Sequence, residues 1–385
     1  MSAYRLLKGF YFAEVAILLL VSLSSWGCAV SQNANGKMAV NPLQYGLKEA
    51  KTGEDSYRVL LRTHQEAQKM GAGVSYAGIE HIDVTIPDNA KPIPLTHYTD
   101  FAGVTIQVEN KKKGIFLFTL SSKLTPVSLK GEEIDSGDFT HHPVLRSGNK
   151  LLVIYDKTLW VQERKGYGKG TERKDIMMVR DGRGGNSPVK SYSTLTSKPD
   201  CYYCDVDVKR KTVIKNVTFN RTSTSTEKTF LVKIENQYNV EVTGVNIKTP
   251  DGTGLYGDRV IYIVNCADVK LKDISVRRTY SLPKQSGYRV CINNIYDLYV
   301  ENMYGRANWG VFGNHNVNKA YLKNCDINRF DVHCYGRDVK FENCNFVDLY
   351  NQFSRMYGEI RFKNCTFTSC HPVLIEGSYN GFYSL

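Results

Sequence analysis

One position recurs down the second half of this chain and is always Asn, Asp or Gly: Asn216, Gly244, Asp273, Asn302, Asn324, Asn343 and Asn364. These residue types enter the left-handed backbone region at least cost. Each sits between two short alternating runs, as in VKLKDISV (269–276), VKFENCNF (339–346) and IRFKNCTF (360–367). Alternation sends side chains of one parity inward. Before the bend the inward column reads Ile214, Val242, Leu271, Val300, Leu322, Phe341, Phe362; directly after it, Val217, Val245, Ile274, Met303, Cys325, Cys344, Cys365. A third column begins at Phe219 and ends at Phe367, broken only by Gly305. A one-residue bend between short strands, repeated every 20 to 30 residues or so, marks a solenoid. No helical spacing separates the strands, so the pattern predicts an all-β fold, a right-handed parallel β-helix. A second column of bends, Asn236, Asn265, Asn294 and Asn316, offers side chains that can hydrogen-bond from coil to coil.

Three of the ten cysteines, Cys325, Cys344 and Cys365, fall in an inward column and read as small apolar core residues. Cys201-Tyr-Tyr-Cys204 is a lone CxxC with no second pair at zinc spacing. It reads as a local disulfide or two packed thiols.

The rest of the chain divides around the repeat. Residues 1–28 place Arg5 and Lys8 before an apolar run that ends at Gly27-Cys28, the layout of a secretory signal. Cys28 is the candidate lipidation site of a bacterial lipoprotein signal. Residues 29–120 hold a helical pattern near 57–72 followed by strand patterns, expected to cap the first coils. Residues 121–200 lose all periodicity, carry many Lys, Arg and Gly, and read as an irregular basic insertion. Residues 201–385 carry the coils.

A net charge of +12 favours acidic partners. An exported protein does not meet nucleic acid, so the expected partner is an acidic polysaccharide or a cell-envelope glycan. Membrane contact is expected only through the N-terminal lipid. The expected location is outer-membrane, cell-surface, periplasmic or secreted.

Chemistry on a β-helix needs side chains that point outward along stacked strands. In NRFDVHCYG (328–336), inward Phe330, Val332 and Cys334 would send Asp331, His333 and Tyr335 outward on one face. A carboxylate that orients an imidazole is an acid/base arrangement. Asp331, His333 and Arg289 are therefore the candidate catalytic residues. Lys233, Tyr262, Arg329, Tyr335 and Trp309 are the candidate substrate-binding ones, with Trp309 as a platform for a sugar ring. Glycoside hydrolysis calls for two carboxylates flanking the bond, and Asp331 has no clear second acid. No Asp cluster suited to Ca²⁺ is visible, and no cofactor is expected.

The stretch NWGVFGNHNVNKAYLKNCDINRFDVHCYGRDVKFENC (308–344) resembles bacterial right-handed parallel β-helix proteins of the pectate-lyase-like superfamily. That resemblance implies the β-helix fold. The superfamily holds lyases, hydrolases, epimerases and non-catalytic adhesins, so two functions are implied together. One is cleavage or modification of an acidic polysaccharide; the other is glycan binding without turnover. The paired-Asp motifs of polygalacturonases and the calcium site of pectate lyases are not recognisable here.

Overall fold

The computed structural model describes residues 31–32, 38–110, 115–161, 171–185, 198–222, 230–248, 259–277, 288–307, 310–347, 351–354, 356–368, 373–376 and 380–384. The signal-like residues 1–28, with Cys28, and Trp309 lie outside them.

The chain forms the expected right-handed parallel β-helix, and among the described residues 24 strands make up the sheet that winds on itself. Neighbouring coils pair in parallel and in register. One inward column, Phe118, Val232, Ile261, Val290, Phe312 and Phe330, passes through six coils with no residue more than 3% exposed. The three columns read from the sequence join the same core. Gly305 interrupts one of them because Val311 fills its space: a Cβ there would meet Val311 Cγ2 at 2.5 Å.

The corners follow from backbone sterics. All the non-glycine members of the first column have positive φ, from Asn216 at 62° to Asn364 at 51°. Asn236, Asn265, Asn294 and Asn316 do likewise, and their amides form a ladder: Asn265 Nδ2 donates to Asn236 Oδ1 at 3.1 Å and Asn294 Nδ2 to Asn265 Oδ1 at 2.9 Å. A third left-handed column follows three residues later: Asn239, Asp268, Asp297, Lys319 and Asp338. The sequence pattern concealed it, because Lys319 is not a turn residue by type.

Four Asn-Cys pairs show why cysteine suits the place after a bend. Cys266, Cys325, Cys344 and Cys365 each direct Sγ to the carbonyl two residues back, at 3.2 to 3.4 Å. Cys325 and Cys344 are buried, and none of these thiols is in a disulfide.

The helix Gly53–Lys69 begins at a capping box, Thr52 with Asp55, and buries Tyr57, Leu60, His64 and Ala67. It covers the first coils. His64 is fully enclosed, its Nε2 2.9 Å from Tyr76 Oη, and burial pushes its pKa down to about 3.

Residues 121–200 differ from the expectation of an irregular insertion. Thr125–Val127, Asn149–Val161, Thr171–Arg180, Arg183–Gly184 and Asp200–Asp205 build a five-stranded antiparallel sheet. Its central strands read LLVI (151–154) and IMMV (176–179). Both faces are covered, so apolar residues run on instead of alternating, and the period-two signal disappears. Leu152, Ile154, Met177 and Cys201 face a core of the sheet's own. Leu151, Ile176, Met178 and Cys204 pack towards Ala267 on the β-helix. Cys201 and Cys204 thus serve opposite faces as separate packed thiols, raised by burial to about 12 and about 11.

The sheet also docks through polar contacts. Asn265 Nδ2 donates to Tyr155 Oη at 3.0 Å, and Asn294 Nδ2 to the Asp175 carbonyl at 3.1 Å. The Asp175 carboxyl is buried, and burial pushes it up to about 7 against the pull of the Ile176 N–H, Arg173 and Arg337. A carboxyl raised this way holds a proton in the folded state that the unfolded chain has released. Its stabilising contribution is therefore full below about pH 4 and falls as pH rises to about 7. Urea unfolding of this sheet should show that decline, and Asp175→Asn should flatten it; an unchanged slope in the variant would contradict the assignment.

Candidate functional site

Strand pairing fixes one outward ladder across the later coils. Lys233 lies beside Tyr262, Tyr262 beside Cys291, Cys291 beside Gly313, and Gly313 beside Asp331. Sequence parity placed Lys233, Tyr262 and Asp331 on one face, and the register joins them. The surroundings differ along the ladder. Lys233 pairs with Glu235 at 2.7 Å, and Tyr262 stacks on Phe116 with ring centroids 5.8 Å apart.

Asp331, His333 and Tyr335 are not the solvent-facing row expected. Asp331 is fully buried, His333 is 7% exposed and Tyr335 is 3% exposed. Asp331 and His333 are covered in part by Tyr288, which sequence reasoning missed. Its ring occupies the space above Gly313, where a Cβ would meet Tyr288 Cδ2 at 2.1 Å. From there its hydroxyl donates to Asp331 Oδ2 at 2.5 Å and lies 3.1 Å from His333 Nε2. The phenol thus links carboxylate and imidazole, which were expected to pair directly. Glycine inside a strand, Gly313 in Phe312–Lys323, was the readable signal of such a close approach. Tyr288 itself has no repeat partner to betray it.

Asp331 holds four groups together. Arg329 Nε lies 2.5 Å from Oδ2, and the Gln352 N–H donates to Oδ1 at 2.8 Å. Its own backbone carbonyl accepts from Asn314 Nδ2 at 2.7 Å. Burial raises the Asp331 carboxyl, while Arg329, Tyr288 and the Gln352 N–H pull it back. Arg329 is 3% exposed and its guanidinium lies 5.9 Å from the centre of the Tyr288 ring. Arg289 is 8% exposed, one residue from Tyr288. His315 stacks near His333, ring centroids 5.0 Å apart.

Tyr335 belongs elsewhere. It occupies the next rung below Asn316 in the corner ladder, at φ 54°, an unusual conformation for a bulky side chain. There it turns towards Arg173 and Asp156 of the inserted sheet, and burial raises its hydroxyl. Among the described residues no group of three or more His, Cys, Asp or Glu is placed to hold a metal ion.

Chemically, the cluster is a phenol between an acid and an imidazole, beside the Arg329 guanidinium. That arrangement can move a proton at Tyr288 Oη and His333 Nε2, with Asp331 and Arg329 holding the phenol in place.

No protein-family model matches the chain, and a search of the curated proteins gave no match. Among solved structures it is similar to the tailspike protein gp49 from Pseudomonas phage LKA1, at 15% identity over 85% of this chain, with a TM-score of 0.47. It is also similar to the tailspike gp61 of Pseudomonas phage phi297 at 12% identity over 86%, TM-score 0.42. A third match is the Streptococcus pneumoniae surface protein and adhesin PfbA, at 10% identity over 90% of this chain and 100% of that one, TM-score 0.23. The chain spans 64% and 65% of the two tailspike chains. No activity is carried over from these likenesses.

Proposed function

We propose that this β-helix engages an acidic polysaccharide and performs proton transfer on it at the Tyr288–His333 pair. The observation that carries the reading is the Tyr288 hydroxyl, within hydrogen-bond reach of both Asp331 and His333 beside Arg329. The reaction class that suits these groups is β-elimination at a uronate. His333 takes the proton from the carbon next to the carboxylate, and the glycosidic C–O bond breaks to leave a double bond. Tyr288 protonates the departing oxygen and recovers its proton from the His333 imidazolium. Arg289 and Arg329 offset the charge that gathers on the uronate carboxylate. The net charge of +12 favours capture of such a polymer.

A second reading, binding without turnover, is favoured by one observation. Asp331 and Arg329 are almost fully enclosed, as in an ion pair that serves only the fold. Turnover of a panel of uronate polymers, followed by the absorbance of unsaturated ends, separates the two. Under the first reading His333→Ala loses about 10²–10⁴-fold in rate; wild-type protein that retains the polymer without cleaving it favours the second. Export through residues 1–28 with lipid on Cys28 completes the proposal. The mass of the mature N-terminus tests it, since an unmodified Cys28 would rule out the anchor.

A further inference from the structure

The third left-handed column borders a groove that the chemistry above does not use. Register places Asp268 beside Asp297, Asp297 beside Lys319, and Lys319 beside Asp338 on successive coils. On the strand that follows this corner, Tyr299 and Tyr321 sit side by side, ring centroids 5.7 Å apart. A cleft of about 530 Å³ opens there, lined by the three aspartates, both tyrosines, Lys319 and Lys340. A second cleft of about 630 Å³ runs between the inserted sheet and the β-helix, lined by Arg180, Arg183, Tyr238 and Tyr296. Asp268 and Asp297 line both, so the two clefts are continuous. From the coil of Tyr238 to that of Asp338 there are four coil steps, about 19 Å at about 4.8 Å each.

The lining identifies an occupant. Three carboxylates face four cations, Arg180, Arg183, Lys319 and Lys340, so neither a polyanion nor a polycation finds a matching field. Carboxylates and cations set side by side along a trench are instead good partners for hydroxyl groups, as acceptors and donors. The tyrosines supply flat apolar faces, and their positions are already set. Tyr321 donates to Glu342, Lys272 Nζ lies 5.6 Å from the Tyr299 ring centre, and Lys319 Nζ is 3.2 Å from Tyr296 Oη. Few side chains would need to be ordered on binding, which favours affinity.

We propose that this groove binds a neutral oligosaccharide, its pyranose faces on Tyr299 and Tyr321 and its hydroxyls on Asp268, Asp297, Lys319 and Lys340. The groove lies around the corner from Tyr288 and His333 and does not depend on the chemistry proposed there.

An array of neutral oligosaccharides (β-glucan, mannan and galactan series) and galacturonate oligomers, probed with the full chain, tests it. A neutral series should be retained with little dependence on salt. The double variant Tyr299→Ala/Tyr321→Ala should weaken retention about ten-fold or more, whereas Tyr299→Phe/Tyr321→Phe, which keeps the rings, should retain it. His333→Ala should leave it unchanged. Absence of any neutral ligand, binding intact in the double alanine variant, or loss in His333→Ala would each overturn the assignment. Failure of uronate turnover with neutral binding preserved would count against the Tyr288–His333 reading alone.

Discussion

Arg329→Ala is expected to cost about 3–5 kcal/mol of stability in urea unfolding, out of proportion to a single polar substitution. The reason is what it leaves behind. Asp331 has no exposed surface, and Arg329 Nε at 2.5 Å is the cation that offsets its burial. Arg329 also donates to Gln352 Oε1 at 3.4 Å and packs closely against Gly310, where a Cβ would meet its Cδ at 2.8 Å. Without the guanidinium the carboxylate must take a proton, so the deficit should shrink as pH is lowered. Arg329→Ala/Asp331→Ala should cost less than the sum of the two single changes, since the unpaired charge is then gone. A cost below about 1 kcal/mol for Arg329→Ala would mean that the pair is solvated and not a buried anchor.

Phe341→Ala is expected to cost a similar 3–5 kcal/mol or so, by a different route. Phe341 stands at the centre of the aromatic packing in the later coils. Its ring stacks on Phe362 at 4.8 Å and meets Phe346 at 5.2 Å, Phe330 at 5.5 Å and Phe353 at 6.1 Å. Removing it takes one aromatic contact from each of four rings, each contact worth about 0.5–1.5 kcal/mol beyond area burial. A coil touches only its neighbours, so the loss should be local. Hydrogen exchange should accelerate across 339–368 while the inserted sheet and helix Gly53–Lys69 keep their protection. Uniform loss of protection along the chain would contradict that.

The corners were the most legible part of the chain, because a left-handed φ admits few residue types. Asn216 to Asn364 announced the coil, and Cys325 and Cys344 took their buried places in it. The inserted sheet was illegible for the opposite reason. Leu151–Ile154 and Ile176–Val179 are covered on both faces, and continuous apolar runs carry no period. At the site, strand parity put Lys233, Tyr262, Asp331 and His333 on one side of the sheet correctly. It could not show that Asp331 is enclosed, because Tyr288, which helps to enclose it, lies 43 residues away and packs over Gly313. Parity also failed at Tyr335, where the strand had already turned a corner at positive φ.

The Tyr288 hydroxyl is where fold and proposed chemistry meet, and one oxygen atom tests the connection. Tyr288→Phe keeps the ring over Gly313 and removes only the group shared by Asp331 and His333. If the hydroxyl moves the proton, uronate cleavage should fall about 10²–10⁴-fold while polymer retention and the unfolding midpoint change little. Cleavage at the wild-type rate in Tyr288→Phe would contradict the proposed mechanism.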